Sequence, residues 1–131
     1  YHSEILKLIK KYDAENFVFL KGNKNEVETL YQKYDIYCQL SQGEAFGLSV
    51  IEAMGAGLPT IVYNTAPFDE LFPSDELIKL DLNSKNQLKH ELLDLLIADR
   101  RKMIGLKGQK YVLDTYTIEK MANKYYHLLN H

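Results

Sequence analysis

Asp35-Ile-Tyr-Cys-Gln-Leu40-Ser41-Gln-Gly43-Glu44-Ala-Phe46-Gly47-Leu48-Ser-Val-Ile-Glu52-Ala-Met-Gly-Ala-Gly57-Leu-Pro59-Thr-Ile-Val-Tyr63 holds one complete strand–helix–strand unit. Its apolar period is extended over 35–40, helical over 48–56 and extended again over 59–63. Ser41-Gln42-Gly43 reads as the loop after the first strand, and Gly57 as the C-terminal stop of the helix. The same alternation continues outward. Ile5, Leu6, Leu8 and Ile9 give a helical stripe over 2–13. Phe17-Val18-Phe19-Leu20, ending at Gly22, reads as a buried strand. Asn23 or Asn25 is placed to cap a helix whose inner face carries Val27, Leu30 and Tyr31. Downstream, 68–72 predicts a helical turn and 77–80 a fourth strand, followed by helices near 84–98, 99–114 and 117–129. Strands alternating with helices at this spacing form βαβ units, hence a parallel sheet covered on both faces. Right-handed crossovers leave a doubly wound, Rossmann-like α/β sheet as the architecture. Ligands of such sheets bind beyond the carboxyl ends of the strands, where Ser41–Gly47 lies.

Composition narrows the classes. A chain of 131 residues, 46% hydrophobic and 26% charged, fits one globular domain with a core of its own. A net charge of −2 and a pI near 6.1 give no basic footprint for nucleic acid. The single cysteine, Cys38, has no internal partner and suits a reducing cytoplasm. The longest uncharged run, 53–68, is broken by Gly55, Gly57, Pro59 and Pro67, so it is no membrane span. There is no signal peptide, and the chain opens inside an apparent helix without Met, as a fragment would. His2, His90, His127 and His131 are scattered and read as surface residues rather than metal ligands. Tyr111, Tyr116, Tyr125 and Tyr126 read as packing residues of the last two helices.

The chemistry concentrates between Glu44 and Glu52. Unpaired amides at a helix start, together with the helix dipole, make an anion site. Gly47 has no side chain, so a phosphate could approach its backbone closely. Two glutamates are ordinarily solvated surface charges. Glu52, however, lies in a helix of Leu48, Val50, Ile51, Ala53 and Met54, which is expected to be well buried, so the acid needs a partner there. Two carboxylates beside a phosphate site make sense if they accept hydrogen bonds from neutral hydroxyls. A sugar and a ribose supply such hydroxyls.

Glu44-x7-Glu52 enclosing Phe46-Gly47-Leu48, with Ala53-Met54-x-x-Gly57-x-Pro59 after it, resembles the signature of the retaining GT-B glycosyltransferases. More narrowly it is similar to their group 1, family 4 of the glycosyltransferases. Phe17–Leu20, Gly22, Leu30-Tyr31 and Tyr34–Tyr37 resemble the run leading into that signature. Tyr116-Thr-Ile-Glu119 and Tyr125-Tyr126 resemble the family's closing helices. The resemblance implies that the chain is a partial C-terminal, nucleotide-sugar-binding domain of a two-domain enzyme. It implies that Glu44 lies beside the donor sugar and the reaction centre. It implies that Phe46, Gly47 and Leu48 form the turn whose amides contact sugar hydroxyls and diphosphate. It implies that Glu52 holds the ribose hydroxyls, that Gly22 lies near the base, and that Glu70 matches a supporting acidic residue.

There are departures. Asn64-Thr65-Ala66-Pro67 stands where the family has a glycine pair. The family's diphosphate-binding Arg and Lys come from a strand and helix ahead of Tyr1, and Arg100 and Arg101 lie too late in the chain to replace them. The acceptor domain is likewise expected outside this chain.

The implied reaction moves a hexose from a nucleotide diphosphate sugar to an acceptor hydroxyl with retention, in polysaccharide, glycolipid or cell-envelope synthesis. The donor is a substrate; no cofactor or metal is required. The acceptor is a glycan or lipid bound by the N-terminal domain, and the isolated fragment is expected to be inactive. The implied location is cytoplasmic, at the inner face of the cell membrane for many similar enzymes. Peripheral membrane association would belong to the full-length protein, since no basic amphipathic helix is visible here. Nucleotide-sugar epimerases and phosphorylases share the architecture, but the Phe-Gly-Leu-x3-Glu-Ala-Met pattern favours a transferase. A phospho-accepting signalling domain would need an aspartate at a strand's carboxyl end, whereas Asp35 sits at a strand's start. A glycoside hydrolase using both glutamates would leave the helix-start anion site unexplained.

Overall fold

The computed structural model describes residues 1–84 and 86–130. Lys85, inside the helix expected over 84–98, and His131, one of the four scattered histidines, lie outside the described residues. The elements are α1 (His2–Lys11), α2 (Val27–Tyr31), β1 (Tyr37–Gln39), α3 (Leu48–Gly55), β2 (Thr60–Tyr63), α4 (Phe68–Leu71), β3 (Ile78–Leu80), α5 (Gln87–Asp94), α6 (Ala98–Thr115) and α7 (Ile118–Leu129).

The strands form a parallel sheet in the order β1-β2-β3, with Cys38 opposite Ile61 and Ile61 opposite Ile78. Alternation along a strand sends successive side chains to opposite faces. Val62 therefore packs with Val50, Ile51 and Met54 of α3, Phe68 of α4, Phe72, Leu77 and Val112. Ile61 and Leu80 pack on the other face with Leu95, Ile104 and Leu88. Helices cover both faces, as a doubly wound sheet requires.

Helix α6 contributes Ile104 to one cluster and Val112 to the other, so it crosses the sheet's amino edge. Two glycines permit that crossing. A Cβ on Gly105 would lie 2.1 Å from the Gly57 carbonyl oxygen, and one on Gly108 would lie 2.8 Å from that of Glu76. Gly57 and Glu76 lead into β2 and β3. The amino edge is thus closed, while the carboxyl edge stays open, with residues 42–46 and Leu48 exposed or half-buried.

Gly57 also ends α3 as the sequence predicts. It takes φ +83°, its amide bonds Met54 O at 2.9 Å, and the Leu58 amide bonds Ala53 O at 3.1 Å. This is the six-to-one plus five-to-two pattern of a Schellman cap.

The strand expected over Phe17–Leu20 does not form. Phe17 is 81% and Phe19 63% exposed, against the buried run expected. A strand is held by a neighbouring ladder, and among the described residues the only ladders are β1–β2 and β2–β3. Asn23 and Asn25 do not cap α2 either: its N-cap is Glu26, whose carbonyl accepts from the Thr29 hydroxyl at 2.9 Å. Of the tyrosines, Tyr111 and Tyr116 pack around Phe72 and both donate to Leu71 O. Tyr125 and Tyr126 instead lie exposed on α7.

The α3–α6 contact gives a paired prediction. Gly105→Ala is expected to destabilise the protein by about 1–3 kcal/mol, because the new methyl meets backbone. Gly55→Ala meets only the Val112 side chain, at 3.6 Å. It is expected to be neutral or stabilising by up to about 1 kcal/mol through helix propensity. Urea unfolding midpoints of the two variants check this.

Candidate functional site

The open carboxyl edge carries the residues singled out above. β1 ends at Gln39, the chain turns through Ser41–Phe46, and Gly47 starts α3 at φ +78°. That left-handed conformation favours glycine. Contact demands it as well: a Cβ at Gly47 would lie 2.5 Å from the ring of Phe68. Gly47 offers no side-chain cap. The first helical turn closes with the Val50 and Ile51 amides on Gly47 O. The amides of Leu48 and Ser49 come before those donors, so they are the ones a helix start leaves for a ligand.

Glu44 stands just before this turn, half-buried, with its Cγ the next neighbour of the Gly47 position after the Phe68 ring. Its Oε1 accepts from the Ala45 amide at 3.1 Å, and its Oε2 accepts from Gln39 Nε2. Glu52 lies four residues after Leu48 on the same face of α3. The helix buries Val50, Ile51, Ala53 and Met54 but leaves Leu48 64% exposed and Glu52 exposed. The expectation of a buried Glu52 is therefore corrected. Its carboxylate sits on the open face because the apolar residues around it in sequence point the other way. It still has a partner, the Tyr31 hydroxyl, which is shared at 3.3 Å between Glu52 Oε2 and Ser49 O. Phe46 is half-exposed and meets Tyr116 edge-on, with ring centroids 6.4 Å apart. Together with Leu48 it walls an apolar groove of about 470 Å³ completed by Ile51, Ile118 and Met121.

Gly22 takes φ +63° on an exposed stretch, and a Cβ there would meet nothing within 4 Å. Glu70 is exposed on α4, and its amide bonds Pro67 O and Asp69 Oδ1. Arg100 pairs with Asp94 at 2.6 Å, and Arg101 donates to Leu95 O and Leu96 O, so both are engaged at the end of α5. The hydroxyls of Ser41 and Thr65, which follow β1 and β2 at the open edge, are buried without a partner among the described residues.

Sequence reasoning missed the support around Glu44. Gln39 Oε1 accepts from the hydroxyls of Tyr37 and Ser49, each at 2.7 Å. A glutamine in a strand otherwise apolar or aromatic after Asp35 was the available signal. Burial pushes the Tyr31 hydroxyl up to about 12, with Tyr37 and Glu52 adding repulsion. Burial, then Tyr111, raises Tyr116 to about 12. Burial also pushes Tyr37 up, against the Ser49 hydrogen bond.

The family model described as glycosyl transferases group 1 matches residues 1–111. The chain belongs to the group 1 glycosyltransferase family. Among its relatives, the UDP-N-acetylglucosamine–peptide N-acetylglucosaminyltransferase GtfA subunit of Streptococcus agalactiae is 40% identical over 122 residues, 93% of this chain and 22% of that protein. The O-antigen biosynthesis glycosyltransferase WclY of Escherichia coli is 28% identical over 128 residues, 96% of this chain and 35% of its own length. The crystal structure of TarM superposes with a TM-score of 0.86 at 24% identity, covering 98% of this chain and 26% of that one. This group 1 chain thus has the fold of part of a GT-B glycosyltransferase and spans about a third or less of each of these three proteins. No helix among the described residues is long and apolar enough to cross a membrane.

Gly47→Ala should destabilise by about 1–2 kcal/mol from backbone strain alone, and more through Phe68; thermal unfolding reads this. The raised hydroxyls set an alkaline limit. Between pH 10, the ordinary tyrosine value, and about 12, the unfolded chain has lost protons that the folded chain keeps. The stability they contribute is complete below pH 10 and disappears as pH rises through 12. Urea midpoints should fall over that window, with Tyr31→Phe and Tyr116→Phe each flattening the fall.

Proposed function

We propose that this chain is the donor-binding part of a glycosyltransferase that moves a hexose from a nucleotide diphosphate sugar to an acceptor hydroxyl with retention. The observation that carries the reading is the grouping around one left-handed glycine: an uncapped helix start, with Glu44 just before it and Glu52 one turn inside, at the open edge of a parallel sheet. In this reading the Leu48 and Ser49 amides meet the diphosphate, where negative charge develops as the glycosidic bond breaks. Glu44 accepts from sugar hydroxyls and stabilises positive character on the ring without acting as a nucleophile. Glu52, beside the Tyr31 hydroxyl, accepts from the ribose. Phe46 walls the sugar side, and the open space around Gly22 leaves room for the base. The unpartnered Ser41 and Thr65 hydroxyls are further hydrogen-bonding capacity at that edge.

The name of the agalactiae relative supports a UDP-sugar donor, and that of the coli relative supports cell-envelope or polysaccharide synthesis. The relative named a GtfA subunit supports assembly with a protein partner. We further read the chain as a partial C-terminal domain. The acceptor, a glycan or lipid, and the cationic clamp on the diphosphate belong to other parts of the full-length protein, which works in the cytoplasm at the inner membrane face. The reaction needs no cofactor beyond its donor, and the isolated chain transfers no sugar.

Titration of the full-length protein with UDP, 2′-deoxy-UDP and GDP tests the ribose role. Glu52→Gln should weaken UDP about tenfold, the scale of one charge-assisted hydrogen bond, and erase any preference over 2′-deoxy-UDP. Unchanged UDP affinity would remove Glu52 from the site.

A further inference from the structure

Glu44 rides on a loop between Gly43 and Ala45. The Ala45 amide bonds its Oε1 from the next residue, which constrains the loop more than it aims the carboxylate. Gln39 is different, because it belongs to the sheet. Register places it opposite Val62, so its side chain lies on the face that α3 covers. The orientation of its amide follows from its neighbours. A carboxylate only accepts, so the amide nitrogen must face Glu44; Oε1 is then left to accept from Tyr37 and Ser49. One side chain thereby ties β1, the site loop and the first turn of α3 together. Leucine here would remove the acceptor shared by two hydroxyls and the side-chain donor to one carboxylate oxygen. Glutamate would set two carboxylates against each other.

We propose that Gln39 is a positioning residue for sugar transfer, fixing the rotamer of Glu44 against the sheet so that its carboxylate is pre-aimed at the donor sugar. This rests on the role given to Glu44 above. Gln39 touches no part of the nucleotide in that reading, since ribose and diphosphate are held by Glu52 and the start of α3. Its loss therefore acts on turnover rather than on donor binding, and acts only through Glu44.

The test uses the full-length protein and release of nucleoside diphosphate from UDP-glucose, UDP-N-acetylglucosamine and GDP-mannose, whichever the unaltered protein turns over. In Gln39→Leu, and in the isosteric Gln39→Glu, kcat should fall about ten- to a hundredfold, the scale of a misaimed catalytic group. KM for the donor should stay within about twofold. In a Glu44→Ala background, Gln39→Glu should change kcat no further. A normal kcat in both Gln39 variants, a loss confined to KM, or an equal further loss in the Glu44→Ala background would overturn the proposal. A normal kcat in Glu44→Ala alone, or turnover of none of the three donors, would instead overturn the underlying reading, and Gln39's role with it.

Discussion

The contact of Gly47 with the ring of Phe68 is the constraint on which the rest of the site depends. The backbone takes a left-handed turn under an aromatic ring that is fully buried in the larger core cluster. No side chain fits there, so the helix start has neither a capping side chain nor a lid of its own. Glu44 is held before the turn and Glu52 is carried one turn beyond it. Loosening the ring would move both carboxylates and the amides between them together.

The remainder of the fold keeps that edge open. Helix α6 closes the opposite edge, because Gly105 and Gly108 let it lie against the backbone leading into β2 and β3. Arg100 and Arg101 are engaged at the end of α5 rather than near the site. Among the described residues the buried side-chain hydroxyls lacking partners, those of Ser41 and Thr65, follow the carboxyl ends of neighbouring strands. Packing at one edge and unmet hydrogen bonding at the other give the sheet its polarity.

The strand–helix–strand unit was readable because each of its boundaries has a local cause. The period changes at the loop, and glycines stand where left-handed backbone is required, at Gly47 and Gly57. Phe17–Leu20 misled because an apolar run reports a wish for burial, whereas a strand needs a partner that the run itself cannot supply. Glu52 misled for a related reason. Apolar neighbours in sequence implied burial, but on a helix they point away from it and leave Leu48 and Glu52 on the open face. Gln39 gave only a faint signal, a polar residue in an apolar strand, because its partners Ser49 and Glu44 reach it only once the loop has turned back over β1.

The central claim is that the helix start at Gly47 receives the donor's diphosphate. The most direct measurement is amide hydrogen exchange of the full-length protein, resolved to single amides across residues 44–52, with and without UDP. UDP is expected to slow exchange at the Leu48 and Ser49 amides while α7 is unaffected. Bound UDP that leaves those amides exchanging at their free rate would contradict it.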